Sequence, residues 1–250
     1  PQFKSELDRL TSGKSGFLLA ISGGKDSVVL FHLLRELNIP FTAAHVNFGL
    51  RGDESDGDER FVRELCLSSG IPFYTCKFDT VVYAEENRLS IQEAARILRY
   101  DFFKETAAEK GLDLILTAHH LDDSIETFFI NLMRSSGPLG LSGIPQVSGN
   151  VIRPLLQFSR EDLDAFAAAK NLNWREDSSN LKNDYLRNRI RHFLLPELND
   201  EFFRTDMQDI MQSMSVIHSF RKSEMEKWLK ENKGNSGSLG IFFFFFDLIN

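Results

Sequence analysis

Six consecutive residues, Ser22-Gly23-Gly24-Lys25-Asp26-Ser27, combine the residue types that hold a phosphate. Two glycines let backbone N–H groups turn inward and approach an anion closely. A helix starting at this point aims the positive end of its dipole at the same spot. Ser22 and Ser27 bring hydroxyl donors, and Lys25 brings a cation. Asp26 is out of place in a pure anion site. A divalent metal explains it, since phosphate sites usually carry Mg2+ on one or two carboxylates. The plain alternative is a helix cap with a turn, but a buried strand directly before the segment favours phosphate binding. A second glycine-lysine-serine run, Gly13-Lys14-Ser15, does not make a Walker loop. Position 8 is Asp8 where that loop needs glycine, and the strand follows the run instead of preceding it.

A second constellation is His119-His120-Leu121-Asp122-Asp123-Ser124-Ile125-Glu126. With a helix starting near Leu121, Asp123 and Glu126 share one face. His119 then sits at the end of the preceding strand, expected beside the phosphate loop. Paired carboxylates can bind an ammonium group, hold Mg2+ or act as bases. Asp122 and Asp123 can equally do no more than complement the helix dipole. Zinc has little support, because the cluster lacks Cys ligands and His-Glu-x-x-His spacing. Arg96 and Arg99, three apart on the helix before that strand, can reach phosphate oxygens or form a solvated face.

These groups need a scaffold that brings separate loops to one edge. Apolar runs at 16–21, 41–46, 72–78 and 112–117 read as strands, with a further strand at 150–155. Helical spacing predicts helices at 26–37, 58–69, 90–110, 122–134 and 159–170, and Ser159 with Asp162 forms a helix-start pair. This alternation predicts an α/β fold, a parallel sheet flanked by helices. Ligands then bind at the carboxyl ends of the strands, in the loops after Ile21, Val46 and Thr117. The later part reads as a smaller, mainly helical region: a basic helix at 185–195 and one long helix or two at 202–230. The expected division is a catalytic domain over 1–200 and a helical extension with a flexible tail over 201–250, where a further RNA-binding region would begin. The run Phe242 to Phe246 carries no functional weight.

Composition limits the classes. The chain has 250 residues, 42% hydrophobic and 26% charged, which is ordinary for a folded protein. The net charge of −7 argues against a general nucleic-acid coat, so any RNA must meet a local basic surface. Residues 175–192 supply one, with Arg175, Lys182, Arg187, Arg189 and Arg191 against Glu176, Asp177 and Asp184. Arg187 and Arg191 share a helix face, and Asn188 lies beside it. The other reading has these arginines pairing with Asp177 and the acidic first domain to lock the two parts of the chain together. Cys66 and Cys76 form no C-x-x-C, so redox pairs and iron–sulfur ligation lack sequence support, and a reducing cytoplasm fits. The first residues have no apolar core of a signal peptide, and no membrane span is expected.

Together the motifs resemble one family. Ser22-Gly-Gly-Lys-Asp-Ser27 resembles the PP-loop of N-type ATP pyrophosphatases, a superfamily that cleaves ATP between the α and β phosphates. Five further stretches resemble the bacterial tRNA(Ile)-lysidine synthases: His45 to Arg51, Ser90 to Tyr100, Ala118 to Thr127, Ile152 to Leu155, and Asp177 to Pro196. The resemblance covers roughly residues 15 to 200. It implies an adenine nucleotide α hydrolase-like, Rossmann-like fold and a C–N ligase. The expected substrates are ATP, free L-lysine and the wobble cytidine of a CAU-anticodon tRNA(Ile), with Mg2+ as cofactor. It implies nucleotide contacts from Ser22, Gly23, Gly24, Lys25, Asp26, Ser27, His45 and Arg51, with Asp26 on the metal. Asp26, Arg99, His119, Asp123 and Glu126 match the catalytic set, the last two as holders of lysine. Arg187, Asn188, Arg189 and Arg191 are expected to meet the tRNA. Phe48 stands where many members carry His, so position 48 is given no catalytic role. A homodimer stays open. Two rivals are a tRNA-thiolating enzyme on the same scaffold, which would need paired cysteines, and an inactive binding module, against which Asp26, Asp123 and Glu126 speak.

Overall fold

A computed structural model of the chain describes residues 2–176, 186–198 and 202–231. Asp177 to Asn180, Lys182, Asp184, Tyr185 and the Phe242 to Phe246 run lie outside the described residues. The chain forms two compact units. One takes the residues up to His120 and again from Gln146 to Glu176. The other takes Leu121–Pro145 and the described residues from Leu186 onward.

The first unit is built on a six-stranded sheet. Its strands are β1 (Phe17–Ala20), β2 (Thr42–Asn47), β3 (Phe73–Lys77), β4 (Leu114–Leu116), β5 (Val147–Ser148) and β6 (Val151–Ile152). The order is β3-β2-β1-β4-β6-β5, parallel throughout except for β5, which pairs antiparallel with β6 at one edge. The helices of this unit are α1 (Gln2–Thr11), α2 (Lys25–Glu36), α3 (Asp53–Ser68), α4 (Thr80–Asn87), α5 (Ile91–Glu109) and α8 (Arg160–Ala169). Strand side chains alternate between two cores. Phe17, Leu19 and Ile21 join Leu30, Leu34, Val62 and Leu163 in one cluster. Leu18, Ala44, Val46 and Ile115 meet Phe103 and Ala107 of α5 in another. Both faces of the sheet are thus covered, and its central strands β1 and β4 are uniformly apolar.

The α/β class and the five parallel strands agree with the sequence reading, with differences in detail. The strand expected at 150–155 shrinks to Val151–Ile152, because Pro154 has no N–H to give a neighbour. The helix expected from Asp58 begins at Asp53. Its opening turn carries Asp53, Glu54 and Asp56, acids that favour a helix N-terminus although they read as a charged loop. Helices α1 and α4 were not expected.

The second unit is helical: α6 (Leu121–Met133), α7 (Pro138–Leu141), α9 (Leu186–Arg189), a π-helical turn (Ile190–Leu194), α10 (Leu195–Leu198) and α11 (Phe203–Glu231). Leu121, Ile125, Phe128, Met207 and Met211 form its core. The stretch at 202–230 is one helix. No helix among the described residues is long and apolar enough to cross a membrane.

Candidate active site

The chain runs outward from β1 to β2 and β3, then returns to place β4 on the other side of β1. The carboxyl ends of β1 and β4 therefore flank a switch point, where open α/β sheets bind ligands. The Ser22–Ser27 loop leaves β1 at this point, and His119 and His120 leave β4.

The loop's own bonds give its shape. Gly23 has φ +92, a left-handed turn, and Gly24 is the N-cap of α2. Ser27 Oγ donates to the Gly24 carbonyl at 2.8 Å and accepts from Ser22 N at 3.2 Å. With that one proton spent, Ser22 Oγ is the donor in the 3.2 Å contact between the two hydroxyls. Ser22 Oγ also accepts from Gly24 N at 3.2 Å. The two serines, expected as phosphate donors, are used here to brace the turn. Arg175 N donates to the Gly23 carbonyl at 2.9 Å.

A Cβ at Gly23 would meet Val62 Cγ2 at 3.3 Å, on a backbone that L-residues rarely adopt. Gly23→Ala is expected to cost about 1–2 kcal/mol in stability and to weaken ATP binding. Gly24→Ala, at φ −71 where a Cβ would make only an ordinary contact with Ser22 Oγ at 3.4 Å, should lose much less. Melting curves and calorimetric ATP titrations of the two variants check this, and equal effects would count against the loop as a phosphate cradle.

The charged members are held differently. Lys25 pairs with Asp164 of α8. Asp26 lies in the first turn of α2, with its carboxylate 3.6 Å from Nε2 of the fully buried His120. His120 was not singled out from the sequence. Its neighbour His119 drew the attention, and only the fold shows which of the two rings turns toward Asp26. His119 Nδ1 lies 3.0 Å from Thr117 Oγ1, which fixes the ring's orientation. His45 is buried beneath the loop, with Nδ1 2.9 Å from the Ile21 carbonyl, and burial lowers its pKa. It therefore props the start of the phosphate loop as a neutral ring. Arg51 Nη2 bonds to Asp58 at 2.8 Å, and Arg175 Nε bonds to the same carboxylate at 3.1 Å. Arg51 thus joins a bridge that ties the loop after β2 to Arg175. Asn47, also missed, donates to Asp56 at 2.8 Å and Glu59 at 3.1 Å and accepts from Gly49 N. Arg99 stands over the Phe48 ring, 5.2 Å from its centroid.

Asp26 fits Mg2+. A hard dication takes oxygen ligands, and Mg2+ usually takes one or two protein carboxylates, completing its shell with phosphates and water. Among the described residues no group of three or more His, Cys, Asp or Glu forms a self-sufficient metal cage.

In the second unit, α6 begins at Leu121, so Asp123 and Glu126 do share a face. Glu126 is completely buried. Arg191 grips it with two bonds, Nε to Oε1 at 2.6 Å and Nη2 to Oε2 at 2.9 Å. Arg187 Nε approaches Oε2 at 3.2 Å, and Arg191 also reaches Asp123 at 3.5 Å. Arg204 pairs with Asp122 at 3.2 Å. Arg187 and Arg191, expected to face RNA, have carboxylate partners on α6. Asn188 is buried, and Arg187 and Arg189 are both exposed.

The PP-loop domain family matches residues 1–198. The chain is 39% identical over 233 residues to the tRNA(Ile)-lysidine synthase of Chlorobaculum tepidum, covering 90% of this chain and 70% of the relative. It is 45% identical over 195 residues to the enzyme of that name from Bacteroides thetaiotaomicron, covering 78% of this chain and 46% of the relative, so it spans less than half of that protein. Its fold is similar to that of a U34-tRNA thiolase from Methanococcus maripaludis, with a TM-score of 0.66 at 19% identity, covering 85% of this chain and 77% of that one. The PP-loop domain match over residues 1–198, together with 39% identity to a relative covered to 70% of its length, makes the chain a member of the tRNA(Ile)-lysidine synthase family.

Proposed function

We propose that the protein joins free L-lysine to C2 of the wobble cytidine in a CAU-anticodon tRNA(Ile), using ATP and releasing AMP and pyrophosphate. The product, lysidine, changes codon reading from AUG to AUA. We place the reaction in the cytoplasm, with Mg2+ as cofactor. The observation that carries the reading is the glycine turn at the carboxyl end of β1 with Asp26 one residue inside α2. It puts backbone donors, a helix N-terminus and one carboxylate together at a sheet switch point.

In the first half-reaction the cytidine C2 oxygen attacks the α-phosphate and pyrophosphate leaves. The loop amides and the N-terminus of α2 stabilise the charge that grows on the leaving group. Lys25 adds its cation by exchanging Asp164 for phosphate. Asp26 would hold Mg2+, which when bound offsets phosphate charge as a Lewis acid. Arg99 from α5 and His119 from the loop after β4 serve the same step. In the second half-reaction the lysine amine displaces AMP at C2, and it must be neutral to do so. Glu126 is committed to two guanidinium groups, so the ammonium goes first to Asp123, whose contact with Arg191 is the longer. A carboxylate there takes the proton.

The test is incubation with ATP, lysine and unmodified CAU-anticodon tRNA, followed by mass spectrometry of the nucleosides. Lysidine is expected, and its absence while pyrophosphate is released would send the ATP chemistry elsewhere. A thiolating reading predicts dependence on cysteine. Cys66 is buried with its thiol pushed up to about 12, and burial also raises the Cys76 thiol. A Cys66→Ala, Cys76→Ser double variant is therefore expected to keep full lysidine formation. A product containing sulfur, lost in the double variant, would favour thiolation.

A further inference from the structure

Arg99, like Arg96 over Tyr100, lies over an aromatic ring, and its ring, Phe48, belongs to the loop after β2. Arg9, Arg51, Arg63 and Arg175 each rest on a carboxylate. Among the described residues, Arg99 has no ion-pair partner, and its contact is the face of Phe48. The ring is well anchored. Phe48 packs on the core cluster of Leu18, Ala44, Val46 and Phe103. Its carbonyl accepts from Oγ1 of the buried Thr80 at 2.9 Å, and the next residue, Gly49, is held by Asn47. An aromatic face attracts a guanidinium within about 6 Å of its centroid without using any of its N–H groups. A carboxylate in the same place would take two of the five and neutralise the charge.

We propose that Phe48 is a positioning residue for the reaction: its ring fixes Arg99 above the loop after β2, so that the guanidinium's donors stay available to an anionic oxygen of the substrate. This rests on the reading of Arg99 as a group that acts on phosphate. Desolvation by nearby protein atoms and the like charge of Arg96 lower the Arg99 pKa, with Tyr100 acting in the opposite sense, although the residue as a whole is exposed. Position 48, where histidine is common in the family, thus has a use that needs neither acid nor base chemistry. An acidic residue there would defeat the arrangement.

The test uses Phe48→Leu, Phe48→Tyr and Phe48→Trp in the whole chain. Phe48→Leu is expected to lower kcat for pyrophosphate release, with ATP and CAU-anticodon tRNA, by about three- to thirty-fold. The lysine KM should not move, and the melting temperature should change by only a few degrees. Tyr and Trp should restore the rate. In an Arg99→Ala background, Phe48→Leu should cost nothing more. A rate unchanged by Leu, a loss not rescued by Tyr, or additive losses in the double variant would each overturn the proposal. A second measurement is independent of turnover. The Arg99 Nε–H resonance of isotopically labelled protein should carry a ring-current shift that Phe48→Leu removes, and an unmoved resonance overturns the proposal. If the parent chain releases no pyrophosphate, the proposed function fails, while the resonance still decides how Arg99 is held.

Discussion

Asp26→Asn should leave ATP bound and stop its cleavage. The substitution keeps the shape of the side chain and leaves the loop amides, the Gly23 turn and the N-terminus of α2 in place. What it removes is the negative oxygen that Mg2+ requires. Lewis-acid stabilisation of a phosphoryl group is worth several kcal/mol, and each 1.36 kcal/mol is tenfold in rate. Pyrophosphate release should fall on the order of a hundred- to a thousand-fold. Stability should barely change, because the carboxylate is 38% exposed and its recorded contact is His120 at 3.6 Å. Only the small helix-dipole contribution of an acid in the first turn is lost. Calorimetry separates the two effects: ATP alone should bind nearly as before, while added Mg2+ should no longer tighten the binding. Near-normal AMP formation at saturating Mg2+ would take the metal role away from Asp26.

The sequence made the phosphate loop readable because all its determinants are local. Leu18 and Leu19 mark a buried strand, two glycines mark the turn, and Val28, Val29, Leu30 and Leu34 mark the helix face. Asp123 and Glu126 were placed on one face for the same reason. Partners far apart in the chain were not readable. That Lys25 meets Asp164, that Arg175 braces Gly23, and that Asp26 looks at His120 and not His119 all depend on how the sheet closes. Helix α1 carries Phe3, Leu7 and Leu10 at helical spacing and all three reach the core, so its face was legible in the sequence and was missed. The acidic opening of α3 read as loop because charge at a helix start looks like solvated chain until the dipole behind it is seen. The basic segment shows the limit most clearly. Composition alone could not choose between RNA and carboxylate partners for Arg187 and Arg191, and the contacts to Glu126 lie 65 residues away for Arg191.

That pairing makes the second large prediction one of stability. Arg191→Ala should lower the melting temperature on the order of 10 °C, because it leaves a completely buried carboxylate without its two-bond partner. Breaking one side of a buried ion pair typically costs about 3–5 kcal/mol, and in domains of this size each kcal/mol moves the midpoint by about 2–4 °C. Arg187 contacts one of the two oxygens, Oε2, and keeps some of the charge balanced, so Arg187→Ala should do less. Arg189→Ala, on an exposed side chain, should leave the melt unchanged. RNA recognition predicts a different pattern. A residue on a phosphate leaves stability alone when removed and reduces the log–log salt slope of tRNA binding by somewhat less than one unit. Arg189→Ala is the variant expected to show that signature, and Arg191→Ala the one expected to melt early. If Arg191→Ala instead keeps its midpoint and flattens the salt slope, the guanidinium belongs to the RNA surface. A double change, Glu126→Leu with Arg191→Met, then separates scaffold from chemistry. Replacing both members of a buried pair by apolar groups is often neutral for stability, so the fold should recover. Lysine use should not recover, because the carboxylate face that orders Asp123 for the ammonium is gone. A double variant that melts normally and still makes lysidine at ordinary lysine concentrations would reduce Glu126 to a structural residue and leave Asp123 to meet the amine alone.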